Sequence, residues 1–178
     1  MRIKHKNKSI FLDRDGTLIK AIKKSKFKYR PPYNKKELKI FEDIKFLKLF
    51  SKKYFLIICT NQPDLKRGLQ TKVFNNFINN QIKKKIPIKD IFSCECLKTE
   101  KNCNCYKPKT DMILKAKKKY KISLSESYVI GDSWRDISLG QKTGCKTILV
   151  ERDQNKVIMK KKIFNKDFLF KILEILKK

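Results

Sequence analysis

Two carboxylates stand two residues apart in Asp13-Arg14-Asp15-Gly16-Thr17-Leu18, directly after the apolar run Ile10-Phe11-Leu12. One of them could act as a nucleophile. The other could give a proton to a leaving oxygen and later take one from water. Together they could hold a hard divalent ion through oxygen ligands, and Gly16 permits a tight backbone turn just after them. A polar loop that caps a helix is the plainer reading of a lone Asp-x-Asp. The apolar run before it and the Gly-Thr after it favour the chemical reading.

Three further runs could serve the same chemistry. Thr60-Asn61-Gln62 offers a hydroxyl and a backbone N–H to phosphate oxygens, or else it is a turn with Asx-type bonding. Lys107, set by Pro108, suits a charge clamp on a phosphoryl group; one lysine among 40 is by default solvated, so this reading rests on its neighbours. In Gly131-Asp132-Ser133-Trp134-Arg135-Asp136, Asp132 could ligate a metal and Asp136, one helical turn later, could orient it or Lys107. The alternative there is a capped helix start. Separately, Cys94-Glu95-Cys96 and Cys103-Asn104-Cys105 put four thiols into twelve residues. Four sulfurs at this spacing suggest tetrahedral Zn²⁺, with a disulfide pair as the alternative. Cys59 and Cys145 lie in apolar contexts and read as buried, inert thiols.

The surrounding pattern predicts the elements that must position these residues. Apolar runs at residues 9–13, 54–59, 91–94, 127–130 and 147–150 read as buried strands. Helical spacing appears at 36–52, at 71–85 with Thr71 as N-cap, at 110–120, at 134–143 with Gly144 as C-cap, and at 165–176. Residues 16–33 lack a clear period and read as a loop or a small hairpin. Strands alternating with helices predict an α/β fold with a parallel sheet. In such sheets chemistry gathers beyond the carboxyl ends of the strands. Three of those ends carry Asp13, Thr60-Asn61 and Asp132.

Composition bounds the rest. A chain of 178 residues fits one domain, 1–178, with a core of its own. It carries 46 Lys+Arg against 17 Asp+Glu, a formal net charge of +29, which first suggests a polyanion partner. The excess is lysine, with only 6 Arg, in a chain rich in Ile, Phe, Asn and Tyr and poor in Ala and Gly. That is the signature of A/T-rich codons, and base readers favour Arg. Hydrophobic residues make up 40%, too many for a disordered chain. The longest apolar runs are too short for a membrane span or a signal peptide. The chain is expected in the cytoplasm, with reduced cysteines, and no membrane or nucleic-acid partner is expected.

Taken together, the four runs resemble the motifs of the haloacid dehalogenase superfamily of aspartyl phosphotransferases. FLDRDGTL resembles motif I, Thr60 motif II, Lys107 motif III and GDSWRD motif IV, in order and spacing, over residues 8–152. The resemblance implies a Rossmann-like parallel sheet with helices on both faces, and Mg²⁺. It implies that Asp13 attacks phosphorus, that Asp15 is the general acid and base, and that Thr60 and Lys107 hold the phosphoryl group. Mg²⁺ would sit on the Asp13 carboxylate, the Asp15 backbone carbonyl and Asp132, with Asp136 outside the ligand set. The cysteine loop just before Lys107 is similar to that of a capless subgroup that includes histidinol-phosphate and heptose-bisphosphate phosphatases. There it is a structural zinc loop, implying Cys94, Cys96, Cys103 and Cys105 as Zn²⁺ ligands. Asn61, Gln62, Pro63 and Tyr106 align with that subgroup's substrate-contacting positions.

Two residues depart from the subgroup: Cys96 stands where it usually has His, and Tyr106 where the heptose branch has Arg. Tyr cannot make the bidentate contact of an Arg; Arg67, Arg30 or a lysine would have to replace it. The function implied is a Mg²⁺-dependent phosphomonoesterase, a monomer acting on a small phosphorylated metabolite. A sugar bisphosphate, heptose 1,7-bisphosphate, is favoured and histidinol phosphate is second. Two other classes compete. The net charge favours a 3′-phosphatase of nucleic-acid ends, and the cysteine loop counts against it. A binding protein on a dead fold is opposed by the complete set of acids.

Overall fold

The structure is a computed structural model that describes residues 7–25, 28–152 and 155. Five strands form one sheet: β1 (Ser9–Leu12), β4 (Phe55–Asn61), β5 (Ile88–Cys94), β6 (Tyr128–Gly131) and β7 (Lys146–Leu149). Their order is β5-β4-β1-β6-β7, and every pairing is parallel. A separate antiparallel hairpin is made by β2 (Ile22–Ser25) and β3 (Lys28–Arg30). The helices are α1 (Pro63–Lys66), α2 (Lys72–Lys85), α3 (Asp111–Tyr120) and α4 (Trp134–Thr143). A 3₁₀ helix covers Glu42–Phe50.

Successive strand residues point to opposite faces, and each face is covered. Ile10, Leu12, Leu56 and Ile58 pack with Ile78 and Ile82 of α2 and with Ile44, Leu47 and Phe50 of the 3₁₀ helix. Phe11, Ile57 and Val129 pack against Met112, Ile113 and Ala116 of α3 and Leu139 of α4. Burial on both faces is why the central strands read as unbroken apolar runs. Thr71 caps α2, its hydroxyl accepting from the Phe74 N–H at 3.1 Å. The doubly covered parallel sheet is the fold class expected from the sequence.

The topology selects one place for chemistry. From β1 the chain moves outward through β4 to β5, then crosses to β6 and β7 on the other side of β1. The switch point therefore lies between β1 and β6, and a crevice opens beyond their carboxyl ends. Those ends lead directly into Asp13 and Asp132.

Three expectations need correction or remark. Residues 36–52 do not form an α-helix; the regular part is 3₁₀. Its buried Ile44, Leu47 and Phe50 recur every third residue, as do Leu38 and Phe41 before them. That period matches three residues per turn and drifts off an α-helix. Helix α1 follows β4 in place of a plain turn, with Pro63 in its first turn, where a missing N–H costs nothing. The helix expected at 165–176 lies outside the described residues. Among the described residues no helix is long and apolar enough to cross a membrane.

The hairpin is tied down by charge. Arg30 donates to both Glu37 oxygens at 2.7 and 2.8 Å, and the Tyr33 N–H donates to the same carboxylate at 2.8 Å. These bonds hold Glu37 down, from 4.5 to about 2. A depressed folded pKa gives stability that is full above the unfolded value and is lost as pH falls through the folded one. Glu37→Gln should therefore lower the urea midpoint at pH 7 and lose that effect as pH approaches about 2. An equal drop at both ends would contradict the assignment.

Candidate active site

Asp13 continues β1 by one residue, its N–H donating to the Ile130 carbonyl of β6 at 2.9 Å. That bond ties the two strand ends of the switch point together. Asp13, Asp132 and Asp136 bring carboxylate oxygens within 4.8 Å of one another. Lys107, only 3% exposed, lies between two of them. Its Nζ donates to Asp13 Oδ1 at 2.5 Å and to Asp136 Oδ1 at 2.7 Å. The Thr17 hydroxyl sits 3.2 Å from Asp13 Oδ2 and 3.2 Å from Asp132 Oδ1.

The sequence explains how each group arrives. Lys107 is placed by Asn61 at the end of β4: Asn61 Oδ1 accepts the Lys107 N–H at 2.9 Å, and its amide N–H faces the Lys107 carbonyl at 3.4 Å. Asp136 is placed by its own helix start. Its Oδ2 accepts from both the N–H and the hydroxyl of Ser133. Gly131 makes room for it, since a Cβ there would come within 2.3 Å of the Asp136 Cγ. The capped-helix reading and the chemical reading of GDSWRD are thus the same geometry. Gly16, with φ of 99°, turns the chain back after Asp15 in a conformation that disfavours side chains.

Three carboxylates against one ammonium leave the cluster short of positive charge. Burial pushes Asp13 up to about 8, Asp136 and Asp132 push the same way, and Lys107 opposes them. Lys107 Nζ is already committed to Asp13 Oδ1 and Asp136 Oδ1, and Ser133 occupies Asp136 Oδ2. Asp13 Oδ2 and Asp132 Oδ1 share the Thr17 hydroxyl. An all-oxygen donor set with excess negative charge fits a hard divalent cation such as Mg²⁺.

A second group of contacts holds Asp15. Arg14 is fully buried, a feature the sequence reading missed. Its guanidinium donates to Asp15 Oδ1 at 3.3 Å and to Oδ2 at 3.0 Å. It also donates to Asn75 Oδ1 at 2.6 Å and Asn79 Oδ1 at 2.9 Å, both on α2. The signal was present: two asparagines at helical i, i+4 spacing on a face that otherwise packs Ile78 and Ile82 inward. Gln62 Nε2 donates to Asp15 Oδ2 and, at 2.9 Å, to the Thr60 hydroxyl. Thr60 therefore accepts from Gln62 and keeps its own proton to donate. Gln62 Oε1 is a buried acceptor with no partner in the structure.

The structure brings together Asp13, Asp132, Asp136 and Lys107, and separately Asp15, Thr60 and Gln62. It gives three other candidates different surroundings. Asn61 has its amide turned to the Lys107 main chain, Pro63 opens α1, and Tyr106 packs on the apolar cluster beneath α3. Arg30 is committed to Glu37 and stacks 4.2 Å over the Tyr33 ring. Arg67, half exposed, pairs with Asp64 at 2.9 Å.

The four cysteine sulfurs of the loop after β5 lie within 4.8 Å of one another. Separations are 3.6 Å for Cys94–Cys103, 3.7 Å for Cys96–Cys105 and 3.5 Å for Cys103–Cys105. A tetrahedron of thiolates about 2.3 Å from a central zinc has edges of about 3.8 Å, so these three edges fit. Cys94 and Cys105 are closer and form a disulfide, while Cys96 and Cys103 remain thiols. Burial works against the Cys103 thiolate, yet bonds from Cys96 and the Tyr106 N–H hold its pKa below the ordinary value. Burial pushes Cys59 up to about 12 and raises Cys145, so both are inert thiols, as expected.

The chain is similar to known proteins. A family profile described as HAD-hydrolase-like matches residues 104–174. The D-glycero-alpha-D-manno-heptose-1,7-bisphosphate 7-phosphatase of Photorhabdus laumondii is 33% identical over 155 residues, covering 79% of this chain and 80% of that protein. The enzyme of the same name from Campylobacter jejuni is 31% identical over 164 residues, covering 85% and 86%. Among solved structures, the D,D-heptose 1,7-bisphosphate phosphatase of B. bronchiseptica, complexed with magnesium and phosphate, superposes with a TM-score of 0.73 at 22% identity, covering 89% of each chain.

Proposed function

The chain belongs to the HAD-like phosphatases, and on that premise we propose that it is a Mg²⁺-dependent phosphomonoesterase of one domain, 1–178, acting on a sugar bisphosphate, with heptose 1,7-bisphosphate cleaved at the 7-phosphate as its substrate. The observation that carries the reading is the Asp13–Lys107–Asp136 contact with Asp132 beside it, at the switch point of the sheet.

The chemistry is built on these contacts. The Asp13 carboxylate attacks phosphorus, forming a P–O bond as the ester P–O bond breaks. Asp15, oriented by Arg14 and Gln62, gives its proton to the leaving alkoxide. It then takes a proton from the water that attacks the aspartyl phosphate, which releases inorganic phosphate and restores Asp13. Lys107 and the Thr60 hydroxyl hold the phosphoryl oxygens as charge redistributes. Lys107 also keeps Asp13 oriented through Asp136. The Asp13 and Asp132 carboxylates and the Asp15 carbonyl would hold Mg²⁺, which when bound neutralises charge on the phosphoryl group.

Relatives named for heptose bisphosphate support the substrate. Arg30 and Arg67 are each paired with a carboxylate, and Arg67, the more exposed of the two, is the arginine we propose turns from Asp64 to meet the second phosphate. A panel of heptose 1,7-bisphosphate, histidinol phosphate and a 3′-phosphorylated oligonucleotide tests the assignment. The bisphosphate should lead in kcat/KM by about 100-fold, a difference of about 2.7 kcal/mol. A preference for the oligonucleotide would overturn it.

The cysteine loop is proposed to hold a structural Zn²⁺ through Cys94, Cys96, Cys103 and Cys105 when reduced. Chain purified under reducing conditions should carry about one zinc by elemental analysis, and Cys103→Ser should lose most of it. Zinc-free chain with the Cys94–Cys105 disulfide retained under reductant would contradict this.

A further inference from the structure

Two side chains outside every motif reach both halves of the proposed cation site from a third segment, the turn after β7. Asn155 is buried, and its amide is fully engaged. Nδ2 donates to the Asp132 carbonyl at 2.8 Å and to the Val150 carbonyl at 2.7 Å. Oδ1 accepts the Arg152 N–H at 2.8 Å, and the Asn155 N–H closes the turn on the Arg152 carbonyl at 3.0 Å. The Arg152 side chain leaves that turn for the other half of the site. Its Nη2 donates to the Thr17 carbonyl at 3.0 Å, and its fork closes on Asp43 at 2.7 and 3.0 Å while stacking 3.8 Å over the Phe41 ring.

Thr17 and Asp132 are the residues that face each other across the site, through the Thr17 hydroxyl and Asp132 Oδ1. Both belong to loops that leave strand ends; the Thr17 loop is closed on itself by the Leu18 and Ile19 N–H groups on the Arg14 carbonyl, bonds that do not reach Asp132. Asn155 fixes the main chain of one loop and Arg152 the main chain of the other. The Arg152 N–H and the Asn155 amide join the two, so Arg152 and Asn155 add a second tie between the loops beyond the Asp13 N–H bond to the Ile130 carbonyl. Asp43, braced by the 3₁₀ helix, anchors the guanidinium against rotation.

We propose that Arg152 and Asn155 are positioning residues for the divalent cation: they fix the separation of the β1 and β6 loops and so hold Asp132 where it completes the ligand set with Asp13. The inference rests on the metal reading above. Groups that orient ligands from outside typically contribute 10- to 100-fold in metal affinity. Neither residue touches the reacting atoms, so cation affinity is the property that should move.

Mn²⁺ binding to the substrate-free chain, read by electron paramagnetic resonance, tests this directly. Asn155→Ala should raise the Mn²⁺ Kd by about tenfold or more. Arg152→Lys keeps a positive charge for Asp43 but loses the fork and the guanidinium stack on Phe41, and it should raise the Kd in the same direction while the chain stays folded. At saturating Mg²⁺ both variants should recover kcat to within about threefold, because only ligand placement is altered. Unchanged Mn²⁺ affinity in a folded Arg152→Lys chain, whether or not Asn155→Ala folds, would overturn the proposal, as would a loss of kcat that saturating Mg²⁺ does not restore. Asp132→Asn separates the two levels of the claim. If it loses Mn²⁺ while the other variants keep it, the positioning role alone is wrong. If it keeps wild-type affinity, the metal reading itself is wrong.

Discussion

Asp13→Asn is expected to lower phosphate release by about 10⁴-fold or more while leaving the fold intact. The substitution keeps the shape of a nearly buried side chain and removes the carboxylate placed at both the switch point and Lys107. An amide oxygen can still accept from Lys107, and Asp136 still balances the ammonium. Burial disfavours a charge at Asp13 in any case, so the melting temperature should hold or rise slightly. Phosphate release and thermal melting on the same preparation decide it. Residual turnover of about one-tenth of wild type would require another nucleophile.

Lys107→Met should behave in the opposite way, losing stability as well as turnover. Methionine matches the length of the stem but leaves Asp13 and Asp136 buried without a counter-charge. Breaking a buried pair from one side costs about 3–5 kcal/mol, a large share of the roughly 5–15 kcal/mol that holds a typical domain. Burial alone would lower the Lys107 pKa, yet Asp13 and Asp136 outweigh it and raise it. A raised lysine stabilises fully below its unfolded pKa and loses that only as pH climbs through the folded value, so wild type keeps this contribution across the neutral range. In the variant Asp13 is the raised group, its burial no longer opposed by Lys107. Its penalty grows as pH rises above the unfolded carboxyl value and shrinks as pH falls. Urea unfolding at about pH 8 and about pH 5 should therefore show the larger deficit at the higher pH, and a pH-independent deficit would contradict the buried-pair account.

Much of this was legible in the residues. The five apolar runs became the five strands of the sheet, and in the central β1, β4 and β6 the run is continuous because both faces are covered. Asp13, Thr60 and Asp132 stood at strand ends, and topology alone brings such ends together. What escaped the reading has physical causes. Apolar residues spaced by three in 38–50 satisfy a coarse helical pattern, and only the exact period separates 3₁₀ from α. Arg14 looks like an exposed charge until Asn75 and Asn79 are placed beneath it, a pairing across 61 and 65 residues that no local pattern encodes. The bond from the Lys107 N–H to Asn61 Oδ1 was not legible either, because it requires β4 and the cysteine loop to be adjacent in space. Asn155 carries no motif at all; only its distance to the Asp132 carbonyl marks it.

The central claim is that Asp13 becomes phosphorylated. Acid quenching of the Mg²⁺-loaded enzyme during turnover of heptose 1,7-bisphosphate, followed by peptide mass spectrometry, measures this directly. The account predicts one phosphoryl group on the peptide bearing Asp13, absent from Asp13→Asn and absent without substrate. A phosphoryl group on any other residue, or steady turnover with none trapped on the chain, would contradict it.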